Sequence, residues 1–253
     1  MYARAILGER GVRYKLEDFV YLGAPSPGTS YVLAVRPGLG LDTVEKLKAY
    51  NGLRFGQRSV GHGTYTADRM IAYILELKNP RWVFGYNSSE LIAAIERGET
   101  DVQTTSITAI PARQPHWFTE GFTFPLVVKN RKGRGAELVE EIPNDTPTLE
   151  QFANTKMKQD LMRYENALAP STAPYIAPKG IPAEAMAALK QAFSKIWSDS
   201  QFPAGYSRVA LGDPGDPVTG EQIQRALEMR PKDPEVDKLY RQLIGGGPLP
   251  PTQ

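Results

Sequence analysis

The sequence of 253 residues contains no cysteine. That excludes disulfides, thiolate metal sites and cysteine nucleophiles. It holds two histidines, His62 and His116, too few for a histidine-rich catalytic zinc site. No apolar run approaches the roughly 20 residues that span a bilayer, so direct membrane insertion is not expected. Neither sign of charge dominates. The net charge of +2 is too small to argue for a nucleic-acid surface, and the densest basic cluster, 129–134, is short enough to be a solvated loop. The opening residues lack the basic segment, apolar stretch and small-residue cleavage site of a signal peptide. The expectation is a cytoplasmic protein, or a chain that begins after something removed.

What is present fits an α/β protein, long enough for one large domain or two lobes. Strand-like runs fall at 31–35, 53–56, 81–86, 101–105 and 124–128. Helical patterns lie between them. Asp42 with Glu45, Asn87 with Glu90, Thr148 with Gln151 and Thr219 with Gln222 have capping-box spacing. Ala67, Met70, Ile71, Ile74 and Leu75 keep helical spacing. So do Met186, Leu189, Phe193, Ile196 and Trp197, begun by Pro182. Asp233-Pro234 starts a last helix, and the Gly- and Pro-rich tail 245–253 is expected to be loose. Strands alternating with amphipathic helices predict a largely parallel sheet with two consecutive βαβ units over 53–110.

The stretch with most chemistry runs from Phe55 to Tyr65, where a strand passes through a Gly- and Ser-rich loop into a helix. Such a helix N-terminus presents unpaired N–H groups and partial positive charge, which suits a carboxylate or phosphate. Gly61 and Gly63 let the backbone approach an anion. Ser59, Thr64 and Tyr65 can add hydroxyl donors. Gln57 stands where a nucleophile elbow needs glycine, and the loop lacks the lysine of a P-loop. An ordinary strand-to-helix turn has the same pattern. The segment from Val83 to Glu90 again leads from a strand into a capped helix, and Thr104, Thr105 and Ser106 end the next strand. Three polar strand ends at the C-terminal edge of one sheet, where ligands of open α/β sheets bind, form a cradle with no acid or base among them. Near the loop, His62 with Asp68 is the sole pair that could serve as catalytic groups, so an enzyme is not expected.

Five motifs in order carry a resemblance. They are "YVLAVRP" with "DTVEKLKAY", "LRFGQRSVGHGTYTADRM", "GYNSSELIAAIERGETDV", "NDTPTLEQF" and "YIAPKGIPAEAMAALKQAFSKIWSDSQF". Over residues 12–243 the chain resembles the receptors of tripartite tricarboxylate transporters, the TctC or Bug-type solute-binding proteins. The resemblance implies a two-lobed, type II periplasmic-binding-protein fold with lobe 1 from 1–36 and 171–253 and lobe 2 from 37–170. Hinges would lie at 35–37 and 167–174. It also implies a small organic acid as ligand, membrane permease subunits as partners, a periplasmic location and no cofactor. The ligand contacts carry over onto Ser59, Gly61, His62, Gly63 and Thr64, with Tyr86, Thr105 and Ser106 as further candidates. The family's first strand, its Gly-rich loop and a downstream Asp have no counterpart here, so the N-terminal part of the first lobe is expected to be missing. A soluble sensor or enzyme acting on an anionic metabolite, and a truncated relic without binding function, are the alternative readings.

Overall fold

The computed structural model describes residues 5–6, 8, 12–26, 28–129, 139–171, 173–210 and 215–252. In chain order the principal elements are β1 (Phe19–Ala24), β2 (Tyr31–Val35), α1 (Val44–Ala49), β3 (Arg54–Gln57), α2 (Gly63–Ile74), β4 (Arg81–Phe84), α3 (Ser88–Glu96), β5 (Val102–Ser106), α4 (Ala109–Arg113) and β6 (Thr123–Lys129). They continue with α5 (Lys156–Leu168), β7 (Tyr175–Pro178), α6 (Ala183–Ile196), α7 (Phe202–Val209), β8 (Val218–Thr219), α8 (Gly220–Glu228) and α9 (Pro234–Ile244).

The chain forms two compact units. One comprises 1–29 with 163–232, the other 30–162 with 233–253. This departs from the expected division in one large respect, because 233–253 belongs with the second unit rather than the first. The cause is packing. Val236, Leu239, Tyr240, Leu243 and Ile244 of α9 are buried, and α9 lies against α2. The tail beyond it is tied down, contrary to expectation. Arg69 of α2, which is 1% exposed, donates Nε to Leu243 O at 3.0 Å and Nη1 to Gly247 O at 2.8 Å. Its Nη2 reaches Gln242 O at 3.0 Å and Pro248 O at 3.1 Å. A planar guanidinium with five fixed donors can hold four carbonyls at once.

The second unit is built on a five-stranded sheet of order β4-β3-β5-β2-β6. β3 is parallel to β4 and β5, as the βαβ pattern predicts. β2 runs antiparallel to both β5 and β6, so the sheet is mixed rather than largely parallel. Apolar runs mark where strands lie but carry no direction, and antiparallel strands at one side of a parallel sheet are common. Val32, Leu33, Ala34 and Val35 are fully buried, as a continuous apolar run in an interior strand requires. Asn87 and Glu90 make the complete capping box. The cap of α1 is Thr43, whose hydroxyl accepts from Lys46 N at 3.3 Å, while Asp42 instead pairs with Lys46 Nζ at 2.7 Å. Thr148 and Gln151 box a short 3-10 turn, Leu149–Phe152.

Gln57 and Thr104 face α2 through Asp68. Gly56 faces α3, where a Cβ would lie 2.9 Å from Leu91 Cδ2 and 3.2 Å from Thr100 Cγ2, so this glycine lets helix and strand close up. At the opposite end of the sheet Asp101 accepts from Arg36 Nε at 3.2 Å and from Arg54 Nη2 at 2.7 Å. Burial works to raise its pKa, but the hydrogen bonds and charge of Arg54 prevail and hold it below the usual carboxylate range.

The first unit has a three-stranded antiparallel sheet of order β7-β1-β8. α6 lies at this sheet, with Phe193 5.5 Å from Tyr175 of β7, ring centroid to centroid. Its apolar stripe is half covered: Leu189 and Ile196 remain 42% and 39% exposed.

Candidate anion site at the edge of the five-stranded sheet

β3 ends at Gln57, and residues 58–62 carry the chain into α2. The turn is closed by His62 N donating to Ser59 O at 3.2 Å. Gly61 sits at φ +73°, in the left-handed region that disfavours side chains. His62 is the N-cap. Its Nδ1 accepts from Thr64 N at 3.3 Å and lies 2.9 Å from Thr64 Oγ1, and its carbonyl accepts from Thr66 N at 3.0 Å. An imidazole is an unusual cap, but Nδ1 as acceptor does the work of an Asn or Ser oxygen. The helix therefore begins at Gly63, three residues before the expected start, and is 12 residues long.

The structure brings Ser59, Gly61, His62, Gly63 and Thr64 together in this one loop and helix turn. Ser106 joins them by an indirect route. It pairs across the sheet with Tyr31, the first residue of β2, and a Cβ at Gly63 would stand 3.7 Å from the Tyr31 hydroxyl. That is ordinary contact, so glycine at 63 leaves the spot open without being sterically required. The Ser106 hydroxyl lies 3.1 Å from Thr108 Oγ1. Thr105 alternates to the face opposite Thr104, away from α2. Tyr86 is attached through its backbone, its N–H pointing at Gln57 O at 3.4 Å, but its hydroxyl donates to Glu99 Oε2 at 3.2 Å and does not reach the loop.

Two residues missed in the sequence, Tyr31 and Arg58, belong here, and so does Asp68, named there only as a possible partner of His62. Tyr31 arrives only because β2 is antiparallel. Arg58, inside the loop, donates Nη1 to Ser88 Oγ at 3.2 Å at the first turn of α3, with no carboxylate partner among the described residues. Its place in the loop was visible and could have marked it. Asp68 lies beneath, fully buried. It accepts from Gln57 Nε2 at 2.6 Å and from the Thr104 hydroxyl. Burial pushes its pKa up to about 7, partly offset by these two hydrogen bonds. The His62 side chain is turned to Thr64 instead. His116 lies 2.8 Å from Glu96.

The site thus offers backbone N–H groups at a helix N-terminus, hydroxyls and one arginine, an arrangement that attracts an anion. Among the described residues no cluster of His, Asp or Glu could hold a metal ion, and no helix is long and apolar enough to cross a membrane.

No protein-family model matches the chain, and no curated protein matches it. Solved structures do. The chain is similar to a TctC solute-binding protein from Polaromonas, crystallised without ligand, at 16% identity and a TM-score of 0.62, over 95% of this chain and 73% of that one. It is similar to a protein of R. palustris solved with adipate, at 15% identity and a TM-score of 0.58, over 92% and 70%. It is also similar to MatC from Rhodopseudomonas palustris with bound malate, at 14% identity and a TM-score of 0.58, over 96% and 75%. The fold is that of the TctC and Bug-type periplasmic solute-binding proteins.

Proposed function

We propose that this chain is a solute-binding protein that captures a small organic acid, and that a carboxylate of the ligand sits at the N-terminus of α2. The observation that carries the reading is the union of that helix end with Arg58, a cation held at the loop by Ser88 and facing no carboxylate among the described residues. Backbone N–H groups complement the charge and geometry of a carboxylate, and arginine can bind it with two parallel hydrogen bonds. The fold shared with proteins solved with adipate and malate supports a carboxylic acid as ligand. By the same analogy the protein works in the periplasm and hands its ligand to permease subunits of a tripartite tricarboxylate-type transporter.

Thermal unfolding with a panel of mono-, di- and tricarboxylates and aromatic acids tests this. A ligand at about a hundred times its Kd stabilises the native state by about 2.7 kcal/mol. A transition that moves upward with one acid, and moves less in Arg58→Ala, is the expected result. A sharp transition that no acid moves overturns the reading.

A further inference from the structure

Asp68 is buried and ionisable, and the anion site as described makes no direct use of it. It lies between the helix whose N-terminus forms that site and the two strands that support it. One oxygen meets Gln57, the last residue of β3, where the loop departs, and the other meets Thr104 on β5, two residues before Ser106. The Gln57 contact is 2.6 Å, shorter than the usual N–H···O range and typical of O–H···O. The Gln57 Oε1 atom is buried without a donor. Turning the amide over would put Oε1 against the carboxyl group. A protonated Asp68 then donates its O–H to Oε1, while Thr104 donates to the other carboxyl oxygen.

No charged group competes for this position. On α2 itself, Arg69 is committed to the tail carbonyls and His62 to Thr64. In the loop after β3, Arg58 reaches Ser88, and on β3 Arg54 reaches Asp101. β5 carries no charged residue. On α9, Arg241 pairs with Asp237 and Lys238 with Glu235. The 3-10 turn at Leu149–Phe152 brings only Glu150, which is exposed. Among the described residues nothing compensates a negative charge at Asp68 beyond two neutral donors, and burial pushes its pKa up to about 7.

We infer that Asp68 is a positioning residue that works uncharged: as the neutral acid it ties α2 to β3 and β5, and its ionisation sets a negative charge under the loop that opposes carboxylate binding. The inference rests on the proposed function and adds its regulation. By linkage, a bound anion and the Asp68 proton favour each other to the same extent, so capture of the acid draws in a proton.

The test is titration calorimetry with malate and with adipate from pH 5.5 to 8.5, in buffers of different ionisation heat. Wild type should lose about tenfold in affinity between pH 6 and 8 and take up a proton on binding near pH 7. Asp68→Asn should bind with little pH dependence and take up no proton. Histidine as a residue type ionises in this range and His62 is retained in that variant, so a pH dependence that survives in Asp68→Asn overturns the inference. Should Asp68→Asn not fold, Thr104→Val serves. It removes a donor to the carboxylate and should move the pH midpoint upward, and an unmoved midpoint overturns the inference. Binding that is flat with pH in wild type sinks the inference but leaves the proposed function standing. Failure to bind any acid of the panel at any pH sinks both.

Discussion

The hydroxyl of Tyr65, in the first turn of α2, donates to the carbonyl of Gly245 at 2.8 Å, 180 residues further along the chain. A Cβ at the adjacent Gly246 would lie 3.4 Å from Val60 of the anion loop. The tail therefore braces the segment that carries the candidate site. Arg69 completes the brace, lying over the rings of Tyr65 and Trp82 at 5.6 Å from each centroid.

Arg69→Ala should destabilise the protein by about 3 kcal/mol, because four carbonyls lose their donor in a buried setting. Arg69→Lys should rescue little, since an ammonium lacks the planar fork. Denaturant unfolding gives the magnitude. Faster hydrogen exchange at 245–248 in both variants checks that the tail has come loose.

Asp101→Ala should cost about 1–3 kcal/mol, because Arg36 and Arg54 lose their shared buried partner but are themselves partly exposed and screened by water. Asp101 also predicts an acid limit. Its folded-state pKa is depressed below 3.8, so its contribution is present above pH ~4 and lost as pH falls through the folded value. Urea midpoints measured between pH 2 and 5 should fall in wild type and fall less steeply in the variant.

Asp68 predicts the opposite slope at higher pH. The unfolded chain sheds this proton near 3.8, whereas the folded chain keeps it to about 7. Stability therefore declines as pH rises from about 4 to about 7 and then levels, by at most about 4 kcal/mol. Asp68→Asn should flatten that decline and be the more stable protein at pH 8. A variant whose pH profile parallels wild type would contradict it.

Gly61→Ala should cost about 1 kcal/mol in stability, because φ +73° is strained for a side chain. It should weaken anion binding by more than the stability change alone accounts for, since the loop must shift. His62→Asn retains a capping acceptor for Thr64 N and should leave the melting temperature within a few degrees, whereas His62→Leu removes the cap and should lower it further. Differential scanning calorimetry of the three variants distinguishes these outcomes.

Most local structure was legible. The box at Asn87 and Glu90, the run Val32–Val35 and the Gly-rich strand-to-helix loop are short-range patterns, and each lies where periodicity and capping chemistry put it. The misses have a common cause. The cap of α1 shifted by one residue because Asp42 had a second option, the Lys46 ammonium. The tail was read as loose because Gly and Pro carry no side-chain signal, while the groups that pin it are its own carbonyls and an arginine far away in sequence. Tyr86 and Thr105 seemed part of the cradle because strand ends are visible in a sequence and the aim of a side chain is not.

The sequence by itself determined the absence of thiol chemistry, the α/β alternation, the capping boxes at Asn87 and Thr219 and the loop whose backbone suits an anion, since all of these depend on residue identity over a few positions. Only the tertiary structure decided the direction of β2, which brings Tyr31 to the loop, the membership of α9 and its tail in the second unit, and the enclosure of Asp68 between Gln57 and Thr104. Each of those depends on groups distant in the chain meeting in a low-dielectric interior, where a hydrogen bond or its absence is worth far more than in water.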